Sequence, residues 1–185
     1  MLFDKQTYVE RRNRLRQLVG SGLIVLPGNN DSPLNYPANT YKFRQDSSFL
    51  YFFGQQRNGL AGVLDADSGE DWLAGDEIDI DDIVWFGSVH SVKAMAEECG
   101  AACSLSMGQM EEKVRQAVAQ GRKVHFLPPY RHDTQIWLMD LLGIHPNQQK
   151  ESASLKLIKA VVKMRSTKEP QEIEAIEKAC EVGYK

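Results

Sequence analysis

The sequence predicts an α/β domain, and three observations support that class. The 185 residues are 42% hydrophobic and 25% charged, close to the average of ordinary globular domains. Residues 23–26 form an all-apolar run closed by Pro27 and Gly28, which is typical of a strand buried on both faces of a helix-covered sheet. Helical periodicity followed by glycine and an apolar strand recurs along the chain, and this order favours layered α/β packing.

Composition also argues against several classes of protein. The net charge of −3 lacks the basic surplus that nucleic-acid binding needs. Cys99, Cys103 and Cys180 cannot all pair in one chain, so we expect reduced thiols, with Cys99 and Cys103 in the core. The N-terminus lacks the features of a signal peptide, and no apolar run approaches the ~20 residues that span a bilayer. We therefore expect a cytoplasmic protein with neither nucleic-acid nor membrane partners.

The first helix is predicted to follow Asp4, which caps it, and to end at Val19 before Gly20. Its apolar positions indicate one buried side. Because acidic residues elsewhere balance its positive charge, we expect its basic residues to form a mostly solvated outer face. These residues are Arg11, Arg12, Arg14 and Arg16.

The remaining elements of the first half follow from apolar runs and turn residues. The strand over 23–26 is expected to be central, and residues 27–42 are expected to form a long loop. Residues 47–53 are expected to form a short helical or irregular stretch with buried rings. Strands over 59–65 and 71–74 are predicted to pair around the turn at 67–70.

The second half is predicted to be mainly helical. Helices are expected from Ser91 or Val92 to Cys99, over 108–120 and from Asp133 to Leu142. The segment 154–164 is also expected to be a helix, with a strand as the alternative. A strand is expected over 123–127 and a polar link over 143–150. A last helix begins at Pro170. Its apolar stripe needs a partner, so we expect the chain to be the front part of a longer protein. The stripe consists of Ile173, Ile176, Ala179, Cys180 and Tyr184.

Residue spacing predicts neither a catalytic constellation nor a metal site. The acidic residues within 76–82 are expected to form a solvated loop, because the run lacks the glycine of a calcium loop. The histidines lack the spacing of a zinc-peptidase helix, so we expect surface or capped histidines at His90, His125, His132 and His145. Phosphate-loop, nucleophile-elbow and dinucleotide fingerprints do not occur.

Three segments nevertheless resemble a known family. Residues 41–54, YKFRQDSSFLYFFG, closely resemble the F-R-Q-x-S-x-F-x-Y-x-x-G signature of the N-terminal domain of Xaa-Pro aminopeptidases (aminopeptidase P) and prolidases, in the creatinase family. Residues 83–87, IVWFG, are similar to the family's I-W-F-G stretch. Residues 164–173 resemble its M-R-x-x-K-S-P-E-E-I junction, with Glu169 where serine is usual.

The resemblance implies a mixed β-sheet flanked by helices, ribonuclease H-like, over residues 1–165. It implies that residues 166–185 begin the helix leading into a pita-bread catalytic domain. In such enzymes two Asp, one His and two Glu hold a pair of metal ions, usually manganese, and all five ligands would lie beyond Lys185. We therefore expect a non-catalytic domain that holds no metal and is inactive alone.

The resemblance also implies partners. We expect contact with the catalytic domain of the same polypeptide, a homo-oligomer (dimer or tetramer), and proline-containing peptides as substrates of the parent enzyme. Trp85 is expected to be exposed and, with Asn39, Tyr41 and Arg44, to line substrate access in a neighbouring subunit. The alternatives are the N-terminal domain of a prolidase, or a stand-alone protein-interaction module of the same fold.

Overall fold

The computed structural model describes residues 1–78, 87 and 90–184, and the predicted WFG stretch, including Trp85, lies almost wholly outside them. The described strands are β1 (Leu23–Pro27), β2 (Pro33–Tyr36), β3 (Asn39–Thr40), β4 (Leu60–Asp65), β5 (Asp71–Gly75), β6 (Cys103–Leu105) and β7 (Val124–His125). The described helices are α1 (Lys5–Val19), α2 (Ser47–Phe53), α3 (Val92–Cys99), α4 (Met107–Ala119), α5 (His132–Leu142), α6 (Pro146–Ser152), α7 (Leu155–Ser166) and α8 (Pro170–Gly183).

One mixed sheet organises the domain, as expected. Its strand order is β6-β5-β4-β1-β7. The pairs β1–β4 and β4–β5 are antiparallel, whereas the outer strands β7 and β6 run parallel to β1 and β5. The strand over 23–26 is therefore interior, although β4 holds the middle position. Strands β2 and β3 form a separate hairpin.

Helices cover both faces of this sheet because alternate strand residues point to opposite sides. In β1, Ile24 and Leu26 join a core formed with α1, α2, α3 and α7. Their neighbours Leu23 and Val25 join a second core with α4 and α5. This arrangement explains why the apolar run of β1 is continuous, and it confirms the α/β layering.

The aromatic segment 47–53 is a helix that packs on the sheet. Phe49, Phe52 and Phe53 of α2 have no exposed surface. Gly62 in β4 makes room for the ring of Phe53, since a Cβ there would lie 2.1 Å from its Cε2 atom. Gly54 ends the helix in the left-handed conformation, with φ of 68°.

The expectation of a solvated basic face on α1 is wrong for most of its arginines. Arg11 and Arg12 are 2% and 0% exposed, and the side chain of Arg16 is 12% exposed; only Arg14 fits the expectation. The reason is ion pairing, because Arg11 contacts Glu169 and Arg12 contacts Asp71. Burial of a cation is tolerated where a carboxylate and carbonyls satisfy it.

Several smaller expectations also need correction. The loop over 27–42 contains the β2–β3 hairpin, and the expected link over 143–150 overlaps α6, whose first residue is Pro146. The strand over 123–127 is only two residues long in the structure. Cys103 is exposed on β6, whereas Cys99 is buried as expected. His125 is 3% exposed and is therefore not a surface residue.

Candidate functional site

The signature segment 41–54 contains a glutamine, Gln45, that joins three stretches of chain. The Oε1 atom of Gln45 accepts hydrogen bonds from the backbone N–H groups of Asn29, at 2.7 Å, and Asp46, at 2.8 Å. Its Nε2 atom donates to the carbonyl of Arg57 at 2.8 Å. Gln45 is 3% exposed, so these bonds replace water inside the domain.

Asp46 begins α2. Its Oδ1 atom accepts hydrogen bonds from the backbone N–H groups of Ser48, at 2.8 Å, and Phe49, at 2.9 Å. A carboxylate there satisfies donors left free by the helix start and suits the helix dipole. The hydroxyl of Tyr130 donates to Oδ2 of Asp46 at 3.2 Å. The polar centre of the signature is thus engaged in holding the fold.

The outward-facing residues beside it border a groove of about 390 Å³, which we call the loop groove. Tyr41 is 60% exposed and Tyr130 is 68% exposed, and Arg44 is also exposed. Burial of the hydroxyl end raises the pKa of Tyr130, so the phenol stays protonated and able to donate at neutral pH. The groove therefore offers aromatic rings and cationic side chains together. Its chemistry comes mainly from Tyr41, Lys42, Arg44, Tyr130 and Arg131.

Arg131, which lines the loop groove, is hydrogen-bonded to the loop over 27–42. Its Nη2 atom donates to the carbonyl of Asn30 and to the hydroxyl of Ser32, both at 3.0 Å. Its Nε atom lies 3.0 Å from a carboxylate oxygen of Asp133, in the first turn of α5. The loop is thereby tied to the start of a helix.

The structure brings together only some of the residues predicted to line substrate access. Tyr41 and Arg44 border the loop groove. Asn39 lies in β3 and is absent from the lining; its Nδ2 atom donates to Asn35 across the hairpin at 2.8 Å. Trp85 lies outside the described residues. Sequence reasoning missed Tyr130 and Arg131, since they reach the groove only through tertiary packing.

The acidic segment after β5 has a structural role at its described end. Oδ1 of Asp76 accepts the backbone N–H of Met107 at 3.1 Å, and Oε1 of Glu77 accepts that of Val92 at 3.0 Å. These carboxylates therefore lie at the first turns of α4 and α3. Within residues 1–78, 87 and 90–184, no group of three or more His, Cys, Asp or Glu could hold a metal ion. In the same residues no helix is long and apolar enough to cross a membrane.

The structure is thus a mixed-sheet α/β domain with a groove lined by polar, cationic and aromatic side chains. The family model for the aminopeptidase P N-terminal domain matches residues 8–138. The chain belongs to this family.

Individual relatives agree with that assignment. The human Xaa-Pro dipeptidase is 26% identical over 95 residues, which is 51% of this chain and 19% of that protein. The Pongo abelii Xaa-Pro dipeptidase is 29% identical over 96 residues, with the same coverage of 51% and 19%. The chain thus spans about a fifth of these relatives.

Solved structures confirm the fold. The His361Ala form of Escherichia coli aminopeptidase P superposes with a TM-score of 0.76 and 21% identity, covering 97% of this chain and 43% of that one. The Pseudomonas aeruginosa aminopeptidase PepP gives a TM-score of 0.65 and 22% identity, covering 83% of this chain and 36% of that one.

Proposed function

We propose that this chain is the non-catalytic N-terminal domain of an Xaa-Pro aminopeptidase, a metallopeptidase that removes the residue before proline. The observation that carries the proposal is the likeness to E. coli aminopeptidase P, which covers 97% of this chain but only 43% of that protein. Chemistry would then belong to a catalytic domain of the same polypeptide. That domain would hold two manganese ions or similar divalent cations, which supply a metal-bound hydroxide.

The domain's own contribution would be substrate access. In the loop groove, the ring of Tyr41 offers a flat apolar surface suited to proline or another apolar residue. The guanidinium of Arg44 suits a peptide carboxylate. In a homo-oligomer these residues, with Asn39 and Trp85 as the resemblance implies, would form one wall of a neighbouring subunit's channel.

A prolidase parent is the second candidate, and the curated relatives favour it because they are Xaa-Pro dipeptidases. The two candidates differ in substrate length. A prolidase cleaves only Xaa-Pro dipeptides, whereas an aminopeptidase also cleaves Xaa-Pro-Yaa and longer peptides. Hydrolysis of a dipeptide, a tripeptide and a tetrapeptide by the full-length enzyme would separate them.

The access role is tested by Tyr41→Ala and Arg44→Ala in the full-length enzyme. We expect kcat/KM for an Xaa-Pro tetrapeptide to fall about tenfold, since each variant removes a contact to the distal part of the substrate. The melting temperature should stay unchanged, because both side chains are exposed. Arg14→Ala, at another exposed arginine, is the matched control. Unchanged kcat/KM in both groove variants would contradict the access role.

A further inference from the structure

The buried cation Arg11 contacts two carboxylates at the start of α8. Glu169 lies just before the helix, and Glu172 lies in its first turn. The Nη2 atom of Arg11 lies 2.7 Å from a carboxylate oxygen of Glu169 and 3.5 Å from one of Glu172. Its Nε atom donates to Glu169 at 3.2 Å. We call Arg11, Glu169 and Glu172 the junction cluster.

The rest of the Arg11 guanidinium contacts Tyr51 of α2 and the ring of Phe3. Its Nη1 atom donates to the carbonyl of Tyr51 at 3.2 Å, and its Cζ atom lies 4.0 Å from the centre of the Tyr51 ring. The ring of Phe3 lies 5.0 Å away. The ring contact and the carbonyl hydrogen bond leave the guanidinium little freedom to turn. The junction cluster therefore has a rigid side, on the domain, and a side that belongs to α8.

Apolar packing does little to hold α8. No residue of this helix is buried, and Ile173 and Ile176 are 47% and 50% exposed. In contrast, the side chain of Glu172 is only 14% exposed. Its carboxylate also accepts the backbone N–H of Glu169 at 2.9 Å. The residue that pairs with Arg11 therefore also caps the start of the helix.

We propose that Arg11 is a positioning residue, and that the junction cluster sets the direction in which α8 leaves the domain. A buried cation strongly favours the arrangement that keeps its carboxylates in place. The consequence for two domains rests on the proposed function, in which α8 leads to the catalytic domain. The cluster would then fix the loop groove relative to the active site it serves.

Two exposed cysteines of this chain allow the direction of α8 to be measured. Cys103 on β6 and Cys180 on α8 are exposed, whereas Cys99 is buried. Nitroxide labels are attached to the two exposed thiols, and pulsed electron–electron double resonance measures the distance between the label on the sheet and the label on α8. We expect one narrow distance distribution for the unaltered chain. In the Glu169→Gln/Glu172→Gln variant we expect a roughly twofold broader distribution, because α8 samples several directions.

The matched control is Glu174→Gln/Glu177→Gln, which removes two exposed carboxylates from the same helix and should leave the distribution narrow. A further variant, Arg11→Met/Glu169→Gln/Glu172→Gln, removes the buried cation as well. Because this variant has no unpaired buried charge, broadening in it reports a change in the direction of α8. Its melting temperature shows whether the domain keeps its stability.

A narrow, unchanged distribution in both junction variants would overturn the proposal, and so would a broad one in the unaltered chain. Broadening in the junction variants but not in the control supports it. The measurement needs no peptide hydrolysis. An inactive full-length enzyme would therefore contradict the proposed function and leave this result standing.

Discussion

Among the described residues, Arg12 is the largest side chain without exposed surface, and it connects four elements. Its Nε atom donates to the carboxylate of Asp71 in β5. Its Nη1 and Nη2 atoms donate to the carbonyls of Phe52, at 2.9 Å, and Cys99, at 2.8 Å. Helices α1, α2 and α3 are thus connected to the sheet through one guanidinium.

Replacing this residue should be costly. We expect Arg12→Met to lower the free energy of unfolding by about 3–5 kcal/mol, since it leaves a buried carboxylate without its main partner. Urea unfolding of this chain measures the change, with Arg14→Met as an exposed control expected within about 0.5 kcal/mol of the unaltered chain. A loss as small as that of the control would mean that Arg16, 3.3 Å from Asp71, is sufficient alone.

The same residues explain why α1 was partly misassigned from the sequence. The periodicity correctly predicts the helix and its one buried side, on which Tyr8 and Leu15 lie. The partner of Arg12 lies 59 positions away, and that of Arg11 lies 158 positions away. No local pattern reports such distant pairs. The loop groove could not be predicted for the same reason, because only folding brings Tyr130 and Tyr41 into one groove.

At the scale of elements, a buried histidine connects β7 to the start of α7. Nε2 of His125 donates to the carbonyl of Ser21 at 3.1 Å, because a carbonyl can only accept. Nδ1 of the neutral ring then accepts from the hydroxyl of Ser154 at 2.6 Å. That hydroxyl oxygen in turn accepts the backbone N–H of Leu157 at 3.2 Å, which caps α7.

This connection predicts a pH dependence of stability. Burial lowers the pKa of His125 below its ordinary value of 6.5, so the unfolded chain binds the proton at higher pH than the folded chain. The free energy of unfolding should therefore fall as pH drops from about 6.5 towards the folded pKa. His125→Gln keeps a donor and an acceptor without a titrating group, and it should flatten the pH dependence of the free energy of unfolding below about pH 6.5.

Urea titrations at several pH values measure that difference. The exposed His132→Gln is the control, and it should keep the slope of the unaltered chain. An identical slope in the His125 and His132 variants would contradict the assignment.

Capping residues made most helices predictable, and short elements without such signals were missed. Asp4 caps α1 as the sequence predicts, and the structure shows Ser154 in the same role at the start of α7, where the sequence predicts only the helix. Helix α6 had a usable signal, since Pro146 occupies its first turn, but its polar sequence favoured a link. Strand β6 has three residues and depends on pairing with β5, which no local pattern encodes.

At the scale of the whole molecule, the family assignment leads to a prediction about activity. Within residues 1–78, 87 and 90–184 no group of metal-ligating side chains could hold an ion. The proposed function assigns the five metal ligands to a separate catalytic domain. We therefore expect this chain alone to release no amino acid from Xaa-Pro peptides, with or without added Mn²⁺.

The assay should follow release of the N-terminal residue from a dipeptide and a tetrapeptide, with the full-length enzyme at equal molarity as positive control. A chelator-treated sample separates metal-dependent turnover from contamination by other peptidases. The domain should retain its fold in the same buffer, as shown by its circular dichroism, so that inactivity is not the result of unfolding. Turnover by the pure chain that rises with Mn²⁺ and disappears with chelator would show that the domain carries catalytic groups of its own.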